Sequence, residues 1–405
     1  MPRFYAPRMQ DVDASGDPLS GAQLYFYSTG TTTAKDTFSD SSLSTENANP
    51  VVADASGRFG AIYLQSGSYR VILKTSADVQ VWDEDPVIGA AEDLLDRNLI
   101  INGNCVVAQG AAATVSTSYQ IGQVDMFGVK ADGTPTGGSI NQHTEEGFGS
   151  TGTSLRLSSF STGSGGNAYA AYRIESNDAQ ILIDKPSFFK CVVNHNVGVN
   201  VDYTVTISKA DTADDFSSTT TIDTSSATSV SSGTETTITF SVSDMGSCGN
   251  GVEIEVKAAC STVSSKSFRW TDWDLKPIAY GTQFRAQPYA EEQGHCERYR
   301  FSTFPEGTDP AQNAGFTGAP ATIAGAAGGF VFPIVFPTRM RAQPTVTTYN
   351  PEAANAYARN NSDNTDTPVA SIIGLSSMIV YHNPIDATDA DDLMYIHVVA
   401  DAGLF

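Results

Sequence analysis

The chain has 405 residues and a mass of 42.8 kDa, with 45 acidic against 23 basic side chains, a formal charge of −22 and a pI near 4.4. That charge argues against nucleic-acid binding, which sets clustered Lys and Arg against phosphate; hydrophobic residues at 40% supply apolar cores for roughly two to four domains. Only 17% of residues are Asp, Glu, Lys or Arg, against about 25% in an average soluble domain, so Ser, Thr, Asn, Gln and Gly must supply much of the polar surface.

The opening Met1-Pro2-Arg3-Phe4-Tyr5-Ala6 lacks the apolar core of a signal peptide, and no stretch approaches the roughly 18–20 apolar residues that cross a bilayer, so a soluble protein made in the cytoplasm is expected. Asp11, Asp13, Ser15, Gly16 and Asp17 match the first half of a calcium loop, but its twelfth position is Ala22 where a bidentate Glu belongs. The same residue types make a β-turn, and Asp54-Ala55-Ser56-Gly57 repeats them, so no metal is expected. Tyr69, Val71 and Leu73 alternate with Arg70, Ile72 and Lys74, and Ser76-Ala77-Asp78 turns the chain into Val79 to Trp82, which predicts a hairpin. Ala90 to Asp96 follows Gly89 and predicts about two helical turns at a domain boundary.

Beyond that boundary the pattern has period two. Val201, Tyr203, Val205 and Ile207 alternate with polar residues, as do Ile238, Phe240 and Val242, and Val252, Ile254 and Val256. Each predicts a strand with one buried face. Between the first two lies Ala210 to Thr237, a weakly patterned polar loop with room for one strand. Arg269 to Leu275 also predicts a strand, with Asp272 and Asp274 on one face and Trp273 on the other. Tyr289 to Arg300 predicts about three helical turns after Pro288, with Glu291 and Glu292 at the positive end of the helix dipole. Ile323 to Phe336 carries Gly325, Gly328, Gly329 and Pro333, which suits two short buried strands. The fold class is therefore all-β, multidomain, with antiparallel jelly-roll-like sandwiches and few short helices. No coiled-coil, collagen or solenoid repeat appears.

Few residues offer chemistry. Cys105, Cys191, Cys248, Cys260 and Cys296 form no CxxC pair and read as buried free thiols, although Cys248 and Cys260 bracket a strand and could meet. His143, His195, His295, His382 and His397 lack metal or triad spacing, and His195 and His397 sit in strand contexts that predict packing. Asp211, Asp214 and Asp215, like Asp386, Asp389, Asp391 and Asp392, read as solvated acidic loops. Glu145-Glu146 and the Asp272/Asp274 pair are the only carboxylate pairs near aromatic residues. A structural role or a sugar-binding face suits Asp272 and Asp274 better than catalysis, so no enzyme and no cofactor are expected. Sugars present C–H faces and hydroxyls to aromatic rings and planar polar groups; the candidates for such contacts are Tyr119, Tyr169, Tyr172, Trp270, Trp273 and Tyr349.

Longer motifs carry a family resemblance. Asp13-Ala14-Ser15-Gly16-Asp17-Pro18-Leu19-Ser20-Gly21-Ala22-Gln23-Leu24-Tyr25-Phe26-Tyr27, Gly30-Thr31-Thr32-Thr33, Asn49-Pro50-Val51-Val52-Ala53-Asp54-Ala55-Ser56-Gly57-Arg58, Gly67-Ser68-Tyr69-Arg70-Val71-Ile72-Leu73-Lys74 and Trp82 resemble, in order, the N-terminal domain of tailed-bacteriophage tail fibre and tailspike proteins. Asn98 to Asn104, Ala108-Gln109-Gly110, Val124 to Phe127 and Tyr172 to Glu175 are similar to carbohydrate-binding-like sandwich domains of phage tail proteins, departing at Met126-Phe127, where Asp-Arg-Trp is more usual. Trp270 to Arg300, with Gly281 to Phe284 and Cys296 to Tyr299, resembles the exit from that domain, and Phe336 to Val346 resembles a strand pair of a terminal domain.

The resemblance implies a virion protein, made in the host cytoplasm and assembled into a phage tail. Its domains would be an attachment domain at 1–89, a linker or short helix at 90–98, a carbohydrate-binding-like sandwich at 99–288 and a C-terminal sandwich at 289–405. It also implies a homotrimer, with phage tail or baseplate proteins at the N-terminal domain and host surface polysaccharide at the distal ones. In such a trimer Ile323 to Phe336 and Leu404-Phe405 would pack near the axis. A connector or capsid decoration protein without receptor binding is the alternative, and a depolymerising tailspike a further one.

Overall fold

The computed structural model describes residues 9–40, 44–64, 68–87, 97–277, 284–325, 329–382 and 390–405. The expected helix over Ala90 to Asp96, most of the motif from Gly281 to Phe284, and Asp386 and Asp389 lie outside them. The chain divides into two compact units, Met1–Arg97 and Asn98–Phe405. Both are β, with antiparallel pairing throughout the described strands, as the period-two patterns require.

In the first unit a four-stranded sheet runs in the order Val51–Val52, Gln23–Ser28, Tyr69–Lys74, Gln80–Val87. The predicted hairpin is its last pair, and Asp78 takes the left-handed conformation (φ 63°) at the turn, one that Asp tolerates better than most residues. Leu24, Phe26, Tyr69, Val71 and Leu73 form the buried face with Phe59 and Ile62. The two Asp-Ala-Ser-Gly repeats are turns of one kind. Asp13 Oδ1 accepts from the amides of Ser15 and Asp17, both at 2.9 Å. Asp54 Oδ1 accepts in the same way from Ser56 and Arg58.

The second unit is built on two facing sheets. The first runs Thr236–Val242, Ser187–His195, Val263–Lys276, Thr153–Thr162, Ser139–Thr144, Ala113–Thr114; the second runs Asp215–Thr224, Val201–Thr212, Val252–Ala259, Ala168–Ile174, Phe127–Ala131, Gln120–Ile121. Phe160, Phe189, Phe268, Trp270 and Trp273 from the first sheet meet Phe127, Tyr172, Tyr203 and Ile254 from the second in one core. The Trp273 ring spans the gap, 5.2 Å from Phe127 and 5.6 Å from Phe189 between centroids. The polar stretch read as a loop contains the long edge strand Asp215–Thr224, paired to Val201–Thr212. It carries no alternation because both its faces are mostly solvated.

The described residues between 300 and 405 fold as small sheets around a second apolar cluster, including Phe330, Phe332, Ile334, Met378, Val380 and Val398. The strand pair expected in Phe336 to Val346 is instead a connection, since Val331–Val335 and Thr345–Tyr349 belong to different sheets. The helix after Pro288 spans Tyr289–Cys296, shorter than expected. The boundary expected at 288 falls inside one compact unit, where ion pairs join the sandwich to the C-terminal part. Arg298 meets Glu175 at 2.6 Å, Arg341 meets Asp214 at 3.2 Å, and Arg300 lies 3.6 Å from the buried Asp125. Glu292 closes the seam by accepting from the Asn102 amide at 2.7 Å.

Candidate functional site

The strand Val263–Lys276 holds the feature that shapes the site. Lys190 pairs with Asp274 and Val192 with Thr271, so two residues, Asp272 and Trp273, oppose one on the neighbouring strand. This is a β-bulge, and Asp272 sits in it at φ 49°. The extra residue keeps Trp273 on the core side with Trp270 while Asp272 and Asp274 share the outer face, as the sequence pattern predicts for the carboxylates.

The loop Glu145–Gly152 folds over this outer face. It closes on itself through Glu145 N to Gly152 O at 2.7 Å and Gly152 N to Phe148 O at 3.0 Å. Gly149 takes φ 58°, and a Cβ there would lie 2.5 Å from Thr271 Cγ2, so only glycine fits. Consecutive amides of the loop then reach two carboxylates: Gly149 N donates to Glu235 Oε2 at 3.3 Å and Ser150 N to Asp272 Oδ2 at 2.8 Å. Ser150 Oγ adds a 2.6 Å bond to Asp272 Oδ1. Burial raises the Asp272 pKa, and the Ser150 bonds partly offset this.

These groups enclose a cleft of about 320 Å³ lined by Gly149, Ser150, Lys190, Val192, Glu235, Thr237, Asp272 and Phe284. Its floor is the outer surface of the first sheet. Beside it, Asp274 lies 3.8 Å from Lys190 Nζ and 3.4 Å from Lys276 Nζ. On the far side of the loop, Arg269 binds the Glu145 carboxylate and Asn194 Oδ1, and its guanidinium stacks 4.3 Å from the Phe148 ring centroid. Glu145 is therefore a loop anchor, and Glu145-Glu146 is not a facing acid pair. His143 lies 3.5 Å from Glu145 and 2.9 Å from Arg156; burial first, then the Arg156 and Arg269 cations, lowers its pKa.

The six aromatic candidates do not form one site. Trp270, Trp273 and Tyr172 are corrected from sugar-stacking faces to core residues: all three are buried between the sheets, and the Tyr172 hydroxyl accepts from the Ile101 amide at 2.9 Å. The bulge accounts for Trp270, which strict alternation puts on the outer face with Asp272 and Asp274. Tyr119 and Tyr169 do come together, on the outer face of the second sheet, where Lys130 Nζ lies 4.3 Å and 4.8 Å from their ring centroids. Tyr119 OH donates to Glu255, and Tyr169 OH donates to Asp132 at 2.6 Å. Tyr349 stands apart, edge-on to Phe304. Leu404-Phe405, expected near a trimer axis, packs beside Tyr119 within the same chain. Arg173 donates to Leu404 O at 2.7 Å, and its guanidinium lies 4.3 Å from the Phe405 ring centroid.

Lys190, Glu235 and Thr237 were not singled out from sequence, and Phe284 entered only as the end of the Gly281 to Phe284 motif, with no site role. Together they span nearly a hundred residues, and only long-range folding brings them to Asp272. The other flagged groups have local roles. Asp211 accepts from Ser218 and Thr220, Asp214 from Ser176 and Arg341, and Asp215 from Ser217. His195 and His397 are buried, with ring nitrogens near Val230 O and Gly315 O.

No protein-family model matches the chain, and no curated protein sequence matches it. Solved structures similar to it include carbohydrate-binding β-sandwich modules. One is a carbohydrate-binding module of the β-sandwich superfamily, similar over 67% of this chain and 98% of that one at a TM-score of 0.33 and 10% identity. Another is a family 61 module in complex with β-1,4-galactotriose, with TM-score 0.28, 9% identity and coverage of 45% and 99%. A third is a xylan-binding domain from Paenibacillus barcinonensis, with TM-score 0.27, 12% identity and coverage of 43% and 99%.

Proposed function

We propose that the chain binds glycan without cleaving it, through the cleft on the outer face of the first sheet. The observation that carries this reading is the cleft's lining. Asp272 and Glu235 offer acceptors for sugar hydroxyls, Lys190 and Thr237 offer donors, and Phe284 offers a ring to a C–H face, all around a volume suited to a sugar unit or two. The finer reading is a phage tail fibre whose N-terminal unit docks on a tail or baseplate partner while the second unit touches host surface polysaccharide. Its support is the order of motifs in the first ninety residues. A homotrimer would multiply weak single-sugar contacts. Val331, Val335, Ile372 and Ile379, exposed on the sheet formed by Val331–Val335, Ser377–His382 and Val369–Ile373, offer an apolar surface for such assembly.

A glycan array with the full chain and with Asp272→Asn tests the binding site. Binding by the parent and at least a tenfold loss in the variant is expected, from the hydrogen bonds a carboxylate makes to hydroxyls. An array blank for both proteins overturns the reading. The depolymerase alternative draws on one observation, that two carboxylates line one cavity; release of new reducing ends from a bound polysaccharide would favour it.

A further inference from the structure

We infer that the cleft discriminates by charge, rejecting acidic sugars and holding a sugar with a protonated amino group more tightly than its neutral counterpart. The inference rests on the cleft being a glycan site. The acceptors set the preference. Asp272 is more than nine-tenths buried and held in a left-handed bulge position, and its hydrogen bonds come from the Ser150 amide and hydroxyl. Glu235 accepts from the Gly149 amide. Both sets of donors are electrically neutral, so they orient the carboxylates without cancelling their charge. Of the neighbouring cations, Lys190 lines the cleft, lies 3.8 Å from Asp274 and also pulls on Asp272, Lys276 lies beside Asp274, and Arg269 binds Glu145.

Among the charged groups in and beside the cleft, Asp272, Asp274 and Glu235 therefore outnumber Lys190 and Lys276, in a chain that is already strongly anionic. A uronate brought here would meet two carboxylates of its own sign in a partly desolvated space. A sugar ammonium would meet two acceptors already aimed by the loop and could form charge-assisted hydrogen bonds. The backbone bends into a sparsely populated conformation at Asp272, of the kind that persists only where surrounding structure holds it and that clusters at binding sites.

The test is calorimetric titration of the full chain with three soluble oligosaccharide probes of equal length: a neutral glucan, its amino-bearing glucosamine counterpart and an oligogalacturonate. Each is measured at low and at high salt. The amino probe should bind about tenfold or more tighter than the neutral one and weaken as salt is raised, and the galacturonate should not bind. Asp272→Asn with Glu235→Gln should bring the amino and neutral probes level, with thermal unfolding of the variant confirming that it folds. Asp223→Asn, which removes an exposed charge on the other sheet, should leave the ratio unchanged and so separate cleft selectivity from the general pull of an anionic chain. Galacturonate binding as tight as the amino probe, or a preference that survives the double substitution, would overturn the charge rule while leaving a glycan site in place. Failure of all three probes together with a blank array would remove the site itself.

Discussion

The two sheets of the sandwich present outer faces that have been put to opposite use. On the first, a bulge and a glycine-rich loop hold an open polar cleft. On the second, the chain closes its own surface: Phe405 lies against Gly128, edge-on to Tyr119 and under Arg173, while Lys130 fills the space between Tyr119 and Tyr169. The charges on the second face are matched at close range, Arg173 to Glu253 and Lys130 to Glu255, each at 2.7 Å. Aromatic residues on a sheet surface thus do not by themselves mark a ligand site. What separates the two faces is that Phe405 and Lys130 cover the second, whereas the loop on the first leaves a cleft open.

The largest test strikes what the faces share. Trp273 bridges the sheets, so Trp273→Ala should lower stability in urea by about 3–5 kcal/mol and weaken ligand binding with it. A cost below about 1 kcal/mol would mean that the faces rest on separate cores.

The next test acts on the seam behind the sealed face. Burial pushes Asp125 up to about 6, outweighing the pull of Arg300. The folded state therefore holds that proton more tightly than the unfolded chain, whose Asp titrates near about 3.9. The stabilisation is complete below about pH 4 and is lost as pH rises through about 6, a change on the order of 3 kcal/mol. Asp125→Asn should flatten the stability profile across that window; an unchanged profile would place the titration elsewhere.

The smallest effects sharpen the contrast most. Phe405→Ala should cost about 1–2 kcal/mol while leaving the cleft's affinity unaltered. A Cβ on Gly128 would fall 2.6 Å from the Phe405 ring, so Gly128→Ala should cost about 1 kcal/mol alone and almost nothing once Phe405 is Ala. Strict additivity in that cycle would show that Phe405 does not sit there in solution.

The contrast also explains what the sequence could and could not reveal. Strands such as Val201–Thr212 and Val252–Ala259 were legible because one face is buried and the other wet, which writes a period of two. Asp215–Thr224 was hidden because an edge strand solvated on both faces writes no period. The side of the strand on which Asp272 and Asp274 lie could be read, but the bulge could not, and with it went the placement of Trp270. Tyr119 and Tyr169 were named as candidates for sugar contact, but their partners Lys130, Asp132 and Glu255 lie far off in the sequence and could not be read from it. The cleft itself depends on sheet order, a long-range property that local composition does not encode.

The five cysteines give the molecule a built-in clock. All are free and buried, four in the sandwich core and Cys296 on the helix at the seam, and burial pushes every thiol up, Cys260 to about 11. Since the thiolate is the reacting form, an alkylating reagent at neutral pH finds almost nothing to attack until the sheets separate. The rate at which each sulfur is modified therefore counts how often its part of the sandwich opens, and a Cys296 that reacts ahead of Cys191 would time the parting of the seam separately from the melting of the core.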